Sequence, residues 1–288
     1  MIRFEHRTDP VLGALLWMSD GKTELAAALD IGVRIVQLHA VGEKDLLYHQ
    51  PEDLSDGLTT QQGWRIFGGH RFWASPESER SYYPDCQPVI WEQLPDGVCL
   101  RQEVDPWTAF EKTLTVRLLP DGRIEAAHVL TNCGQRPSRA AAWGVTTLCG
   151  GGEAYLPFPR TDAGEYYPSR AMALWGGTSL ADERLRFEPD AIRATHLPME
   201  TSLKIGISSS TGELSMTNFG QRLRIEFAPL TPAQCSDCGC NAEVYLNRHI
   251  MELETLGPLT LLQPGESTVH TEYWHVERLT AAWEEKMG

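Results

Sequence analysis

Asn241-Ala242-Glu243-Val244-Tyr245-Leu246-Asn247-Arg248-His249-Ile250-Met251-Glu252-Leu253-Glu254-Thr255-Leu256-Gly257-Pro258 contains two runs that alternate in character. In the first, Ala242, Val244 and Leu246 share one face, and Glu243, Tyr245 and Asn247 share the other. In the second, Glu252 and Glu254 stand opposite Met251, Leu253 and Thr255. A period of two is the signature of a strand with one face in a core. Gly257-Pro258 ends the second run, because proline has no amide to give to a ladder. Two acids on one rigid surface, beside a strand carrying Tyr and Asn, offer a platform for proton transfer. The same pattern also fits a solvated outer face.

Outward from this stretch, turns separate further strand-like runs. Val89–Trp91, Val98–Gln102, Phe110–Leu119 and Arg123–Leu130 read as a meander, with Pro95-Asp96-Gly97 and Pro120-Asp121-Gly122 as turns. Upstream, the apolar run Val11–Met18 precedes the turn at Asp20-Gly21-Lys22, and Thr23–Leu29 and Val33–Leu38 read as an antiparallel pair. Asp45–His49 reads as a short strand, and residues 51 to 63 as a polar loop. Thr201–Ser208, Glu213–Phe219, Gln221–Ala228, Pro258–Leu262 and Ser267–Val276 continue the series. From Gly150 to about residue 184 the chain is rich in Gly, Pro and aromatics, including Tyr166, Tyr167 and Trp175, and reads as an irregular lid or rim over a pocket. A terminal helix capped by Thr280 and ending near Lys286 is expected. The reading is all-β and antiparallel with few short helices, a sandwich formed as one domain over 1–288.

The formal net charge of -14 argues against nucleic acid or an anionic membrane surface as partner. Hydroxyl-rich small molecules remain. Carboxylates accept hydrogen bonds from sugar hydroxyls, and some of the nine Trp could stack on pyranose faces, although core packing accounts for most. No apolar run reaches the ~20 residues of a membrane helix, and the start of the chain has no signal-like apolar segment, so a cytoplasmic location is expected. Seven irregularly spaced Cys fit a reducing compartment.

Three further features could carry chemistry. Gly68-Gly69-His70-Arg71-Phe72-Trp73 sets an Arg between aromatic neighbours after paired glycines, where it could donate to hydroxyls, or it could be a bulge followed by an ordinary strand. Lys204 sits among apolar neighbours, where a snorkelling surface role is the alternative to a site. Cys235, Cys238 and Cys240 could chelate zinc with His249 as fourth ligand, but no second paired-Cys motif exists and a turn is the plainer account. No metal and no cofactor is therefore expected; phosphate-cradling loops and nucleophile elbows are also absent from the sequence.

The order of several short motifs resembles the aldose 1-epimerase (galactose mutarotase) superfamily. They are Gly32 with Arg34, Asp45-Leu46-Leu47-Tyr48, Gly69-His70-Arg71-Phe72-Trp73, Leu130-Thr131-Asn132-Cys133-Gly134, Tyr245-Leu246-Asn247 and Leu253-Glu254-Thr255. The resemblance implies a β-supersandwich with a concave carbohydrate-binding face. It also implies Glu254 as the base that takes the anomeric proton, and Arg71 as a ligand of sugar hydroxyls. Trp73, Glu243, Tyr245, Asn247 and Glu252 complete the expected binding set. Where the family carries an Asn-His pair, this chain has Ala142-Trp143. An indole N–H is a neutral donor and no acid, so Trp143 is expected as a stacking platform. His70, His249 and Lys204 are the candidates for the missing acid, with His70 carried forward as catalytic. Two functions follow: an epimerase-like enzyme acting at an anomeric centre, or a protein that binds or senses sugars without converting them. Few Lys and Arg near the site argue against a phosphosugar.

Overall fold

The computed structural model describes residues 1–49, 64–162, 166 and 168–279. The expected loop at 51–63 and the expected helix at 280–286 lie outside these residues. In chain order the first strands are β1 (Arg3–Asp9), β2 (Gly13–Ser19), β3 (Thr23–Ala28), β4 (Arg34–Ala40) and β5 (Gly69–Ser75). The meander follows as β6 (Ile90–Leu94), β7 (Gly97–Arg101), β8 (Phe110–Leu118) and β9 (Ile124–Asn132). Next come β10 (Ser138–Cys149), β11 (Glu153–Pro157), β12 (Met172–Leu174), β13 (Leu185–Glu188) and β14 (Ala191–Thr195). The chain continues through β15 (Leu203–Ile207), β16 (Glu213–Asn218), β17 (Gln221–Phe227) and β18 (Ala242–Leu246). It ends in β19 (Ile250–Leu256), β20 (Thr260–Leu262) and β21 (Ser267–Arg278).

All named pairings are antiparallel, and the strands form two sheets. One runs β1-β2-β3-β4-β5-β10-β19-β18-β15-β12 with β20 attached to β10; the other runs β13-β14-β11-β16-β17-β21-β9-β8-β7-β6. Their facing sides bury alternate residues: Phe72 of β5, Leu114 and Val116 of β8, Val244 and Leu246 of β18, and Met251 and Leu253 of β19 belong to one apolar cluster. The strict alternation of buried and half-buried positions along β8 and β9 is the period of two that places one face in that core. No helix among the described residues is long and apolar enough to cross a membrane.

Two expected elements differ. Asp45–His49 is not a strand but a single bridge, Leu47 to Leu148. The Asp45 carboxylate accepts from the Leu38 and Leu47 amides, so a side chain takes the place of a ladder partner there. The region from Gly150 to residue 184 is not wholly irregular, since it contains β11 and β12. β13 and β14 lie just beyond it; β13 alternates in polarity over only four residues and β14 does not alternate cleanly, so the sequence reading assigns neither.

Candidate functional site

Five neighbouring strands, β5, β10, β19, β18 and β15, set the site side chains in register. Arg71, Val145, Glu254, Glu243 and Gly206 form one row across them. Gly69, Thr147, Glu252, Tyr245 and Lys204 form the adjacent row. Directly opposed residues share a face, so one face collects an Arg, a Lys and three Glu.

This face is the floor of a cavity of about 270 Å³, a size suited to a small ligand of about one sugar ring. Arg71, Trp73, Trp143, Lys204, Tyr245, Asn247, Glu252 and Glu254 all line it. Glu243 lies beneath, wholly buried, behind Lys204. Loops supply lining residues that carry no pattern in the sequence: Trp64 and Ile66 before β5, Glu77 and Tyr82 after it, Trp175 and Gly176 after β12, and Ser202 before β15. Trp175 brings part of the expected rim to the cavity.

Glu243 and Glu254 are directly paired across β18 and β19, an arrangement that repels when both are charged. Lys204 answers it. Its Nζ lies 2.8 Å from Oε2 of Glu254 and 2.8 Å from Oε2 of Glu243. Trp143 donates its indole N–H to the same Glu254 oxygen at 2.9 Å. Among the described residues, the hydrogen bonds to Glu254 go to Oε2, and Oε1 accepts none. Burial raises the Glu254 carboxyl above the ordinary range; Lys204 opposes that shift and nearby Glu252 adds to it. Burial drives Glu243 further up, again against Lys204. Burial alone would lower the Lys204 ammonium, but Glu254 and Glu243 together hold it above its ordinary value. Lys204 also sits 4.7 Å from the Trp143 ring centroid and 4.9 Å from that of Trp175.

Trp143 is therefore a wall braced by its neighbours. It meets Trp73 edge-on at 5.5 Å, offers one face to Lys204 and is only 3% exposed, so it is no open stacking platform.

Arg71 forms the other half of the floor. Its guanidinium lies 3.1 Å from Thr147 Oγ1 and 3.5 Å from Glu252 Oε1, with the Trp73 ring 4.6 Å away. Thr147 in turn donates to Glu252 at 2.7 Å. Arg71 Nε and Trp73 Nε1 are buried without an acceptor among the described residues.

His70 is not at this site. Arg71 and Trp73 face the cavity, so the residue between Gly69 and Arg71 points to the other side of the strand. There it is fully buried between the sheets. Its Nδ1 contacts Thr146 Oγ1 at 2.9 Å and its Nε2 contacts His128 Nε2 at 2.7 Å. Burial, then His128, lowers its pKa well below the ordinary range. His249 is exposed in the turn between β18 and β19 and does not line the cavity. Of the three candidate acids only Lys204 is present there, and no histidine is among the described lining residues.

Among the described residues one grouping has ligand atoms close enough for a metal ion: His70, His128 and Glu272. Its hydrogen bonds close without one. His128 Nδ1 donates to the His270 carbonyl at 2.9 Å, which leaves Nε2 to accept from His70. Glu272 accepts from Thr255 and from Trp274 Nε1. Two imidazole nitrogens bound to one zinc stand roughly 3.3 Å apart, given Zn–N bonds of about 2.0–2.1 Å in tetrahedral geometry. The contact here is a hydrogen bond. Of the three cysteines, Cys235 donates its thiol to the Thr231 carbonyl in the turn before β18.

No protein-family model and no curated protein matches this sequence. Solved structures do. A candidate aldose 1-epimerase from Escherichia coli K12 superposes with a TM-score of 0.61 at 13% identity, covering 97% of this chain and 100% of that one. A galactose mutarotase-like protein from Lactobacillus casei gives 0.60 at 9% identity, covering 91% and 100%. The fold is that of the galactose mutarotase-like proteins. A third member from Clostridium acetobutylicum, with a TM-score of 0.54 at 11% identity, covers 97% of this chain and 99% of its own. At such identity the galactose mutarotase-like scaffold is what is shared, and residue roles rest on the geometry of this site.

Proposed function

We propose that the cavity binds a pyranose sugar and that Glu254 exchanges a proton with the anomeric hydroxyl. The observation that carries this reading is the Glu254 carboxylate itself. It is 1% exposed, lines the cavity, is fixed through Oε2 by Lys204 and Trp143, and has Oε1 unengaged among the described residues. A carboxyl raised by burial is a better base than a solvated one. The anomeric and ring oxygens share one carbon, so two protein groups in contact with each other can address both. Glu254 accepts the hydroxyl proton; the bond from the anomeric carbon to the ring oxygen opens; the Lys204 ammonium donates a hydrogen bond to the oxygen where charge develops. Rotation of the free aldehyde and return of the proton give the other anomer. Arg71 and Trp73 hold ring hydroxyls.

A second reading is that the protein holds a sugar without converting it. The favouring observation is that Trp143 stands where the resemblance expects the acid and directs its N–H to Glu254. Calorimetry with a panel of free sugars, together with exchange NMR of their anomers, separates the two. Binding with accelerated exchange supports the first, binding without acceleration the second, and no binding to any sugar contradicts both.

A further inference from the structure

The carboxylates around the cavity outnumber its cations, and the one with no cation in contact among the described residues lies at the mouth. Lys204 contacts both Glu243 and Glu254, and Arg71 lies 3.5 Å from Glu252, so each of these three acids has a cation beside it. Glu77 is the remaining carboxylate. It is exposed at the rim, accepts the Tyr82 hydroxyl at 2.5 Å, and has no cation within ion-pair distance among the described residues. Tyr82 connects this acid to the aromatic wall, meeting Trp64 edge-on at 5.3 Å and Trp73 at 5.2 Å.

We propose that the ligand is a monosaccharide carrying a protonated amino group, with the ammonium placed between Glu77 and Glu252 against Tyr82. This rests on the sugar-binding reading above and narrows its substrate class. An ammonium would supply the positive charge that the rim lacks, and the π-face of a tyrosine favours a cation. A phosphate or carboxylate on the sugar would meet the opposite situation. Negative charge on the sugar would be added beside the lining carboxylates Glu77, Glu252 and Glu254, which repel it.

The test is titration calorimetry on the full chain at mildly acidic pH, where the sugar amine is charged. The probes are 2-amino, 3-amino and 6-amino hexoses, their hydroxyl parents, their N-acetyl forms, glucose 6-phosphate and glucuronate. At least one amino sugar is expected to bind about tenfold more tightly than both its parent and its acetylated form, the scale set by one or two close charges in a partly solvated site. Glu77→Gln, at an exposed position, is expected to reduce that ratio to about threefold or less. Neutral sugars that bind as tightly as every amino counterpart, or anionic sugars that bind best, overturn this inference and leave the sugar-binding reading standing. An undiminished preference in Glu77→Gln overturns the assigned place of the ammonium. No binding by any probe overturns the sugar-binding reading itself.

Discussion

Glu243 and Glu254 face one another on adjacent strands, and the ammonium of Lys204 lies 2.8 Å from an oxygen of each. Two buried carboxylates at a directly opposed position are tolerable only with that cation between them. Lys204 is thus a structural bridge across β15, β18 and β19 and the cation in contact with the Glu254 carboxylate.

Replacing the cation tests the bridge. Lys204→Met is expected to destabilise the fold by about 3 kcal/mol at neutral pH, since breaking a buried ion pair leaves an uncompensated charge. Both glutamates already titrate above their unfolded values, and losing Lys204 moves them further up. The folded state then holds more protons than the unfolded one, so stability rises as pH falls toward the unfolded carboxylate pKa of about 4.3. Urea unfolding should show the deficit narrowing on acidification; a deficit constant with pH contradicts the assignment.

The face of the sheet opposite the cavity predicts the reverse dependence. His270 is buried, and that burial, aided by His128, lowers its pKa to about 3. The unfolded chain takes up its proton below about 6.5 while the folded chain does not, so stability falls as pH drops from there toward the folded value, by about 1.4 kcal/mol per unit for this one group. His270→Asn should reduce the slope of unfolding free energy against pH by that amount between about pH 6 and 4.5. An unchanged slope contradicts a neutral, buried His270.

Gly144 makes room for the carboxylate at the centre of the same cluster. A Cβ at this position would lie 2.3 Å from Glu272 Oε1, which is fixed by Thr255. Gly144→Ala should cost about 2 kcal/mol, as overpacking a filled interior does. Gly176→Ala, where nothing lies within 4 Å, is the control, expected to leave the urea midpoint unchanged. Equal midpoints for the two variants would show that the Glu272 carboxylate is free to move.

The strands that carry the acids were legible because alternation reports which residues share a face. Glu243, Tyr245, Glu252 and Glu254 are on one side of β18 and β19, as a period of two requires. The same rule separates His70 from Arg71, since neighbours in a strand point to opposite faces; a proposal using both at one site conflicts with it. Lys204 stands out in the sequence by its apolar neighbours, but only the fold shows which acids surround it. Glu77, Tyr82, Trp64 and Trp175 come from loops, where neither spacing nor polarity predicts a meeting, and the pairing order of the strands alone brings them together.

The most direct test of the account is the exchange rate between anomers of a sugar that the protein binds, followed by NMR for the parent protein and for Glu254→Gln. The account predicts acceleration by the parent and a loss of about a hundredfold or more in the variant, the usual contribution of a positioned general base, with the sugar still bound. Equal exchange rates in the two proteins, at concentrations where both are saturated, would contradict a role for Glu254 in proton transfer.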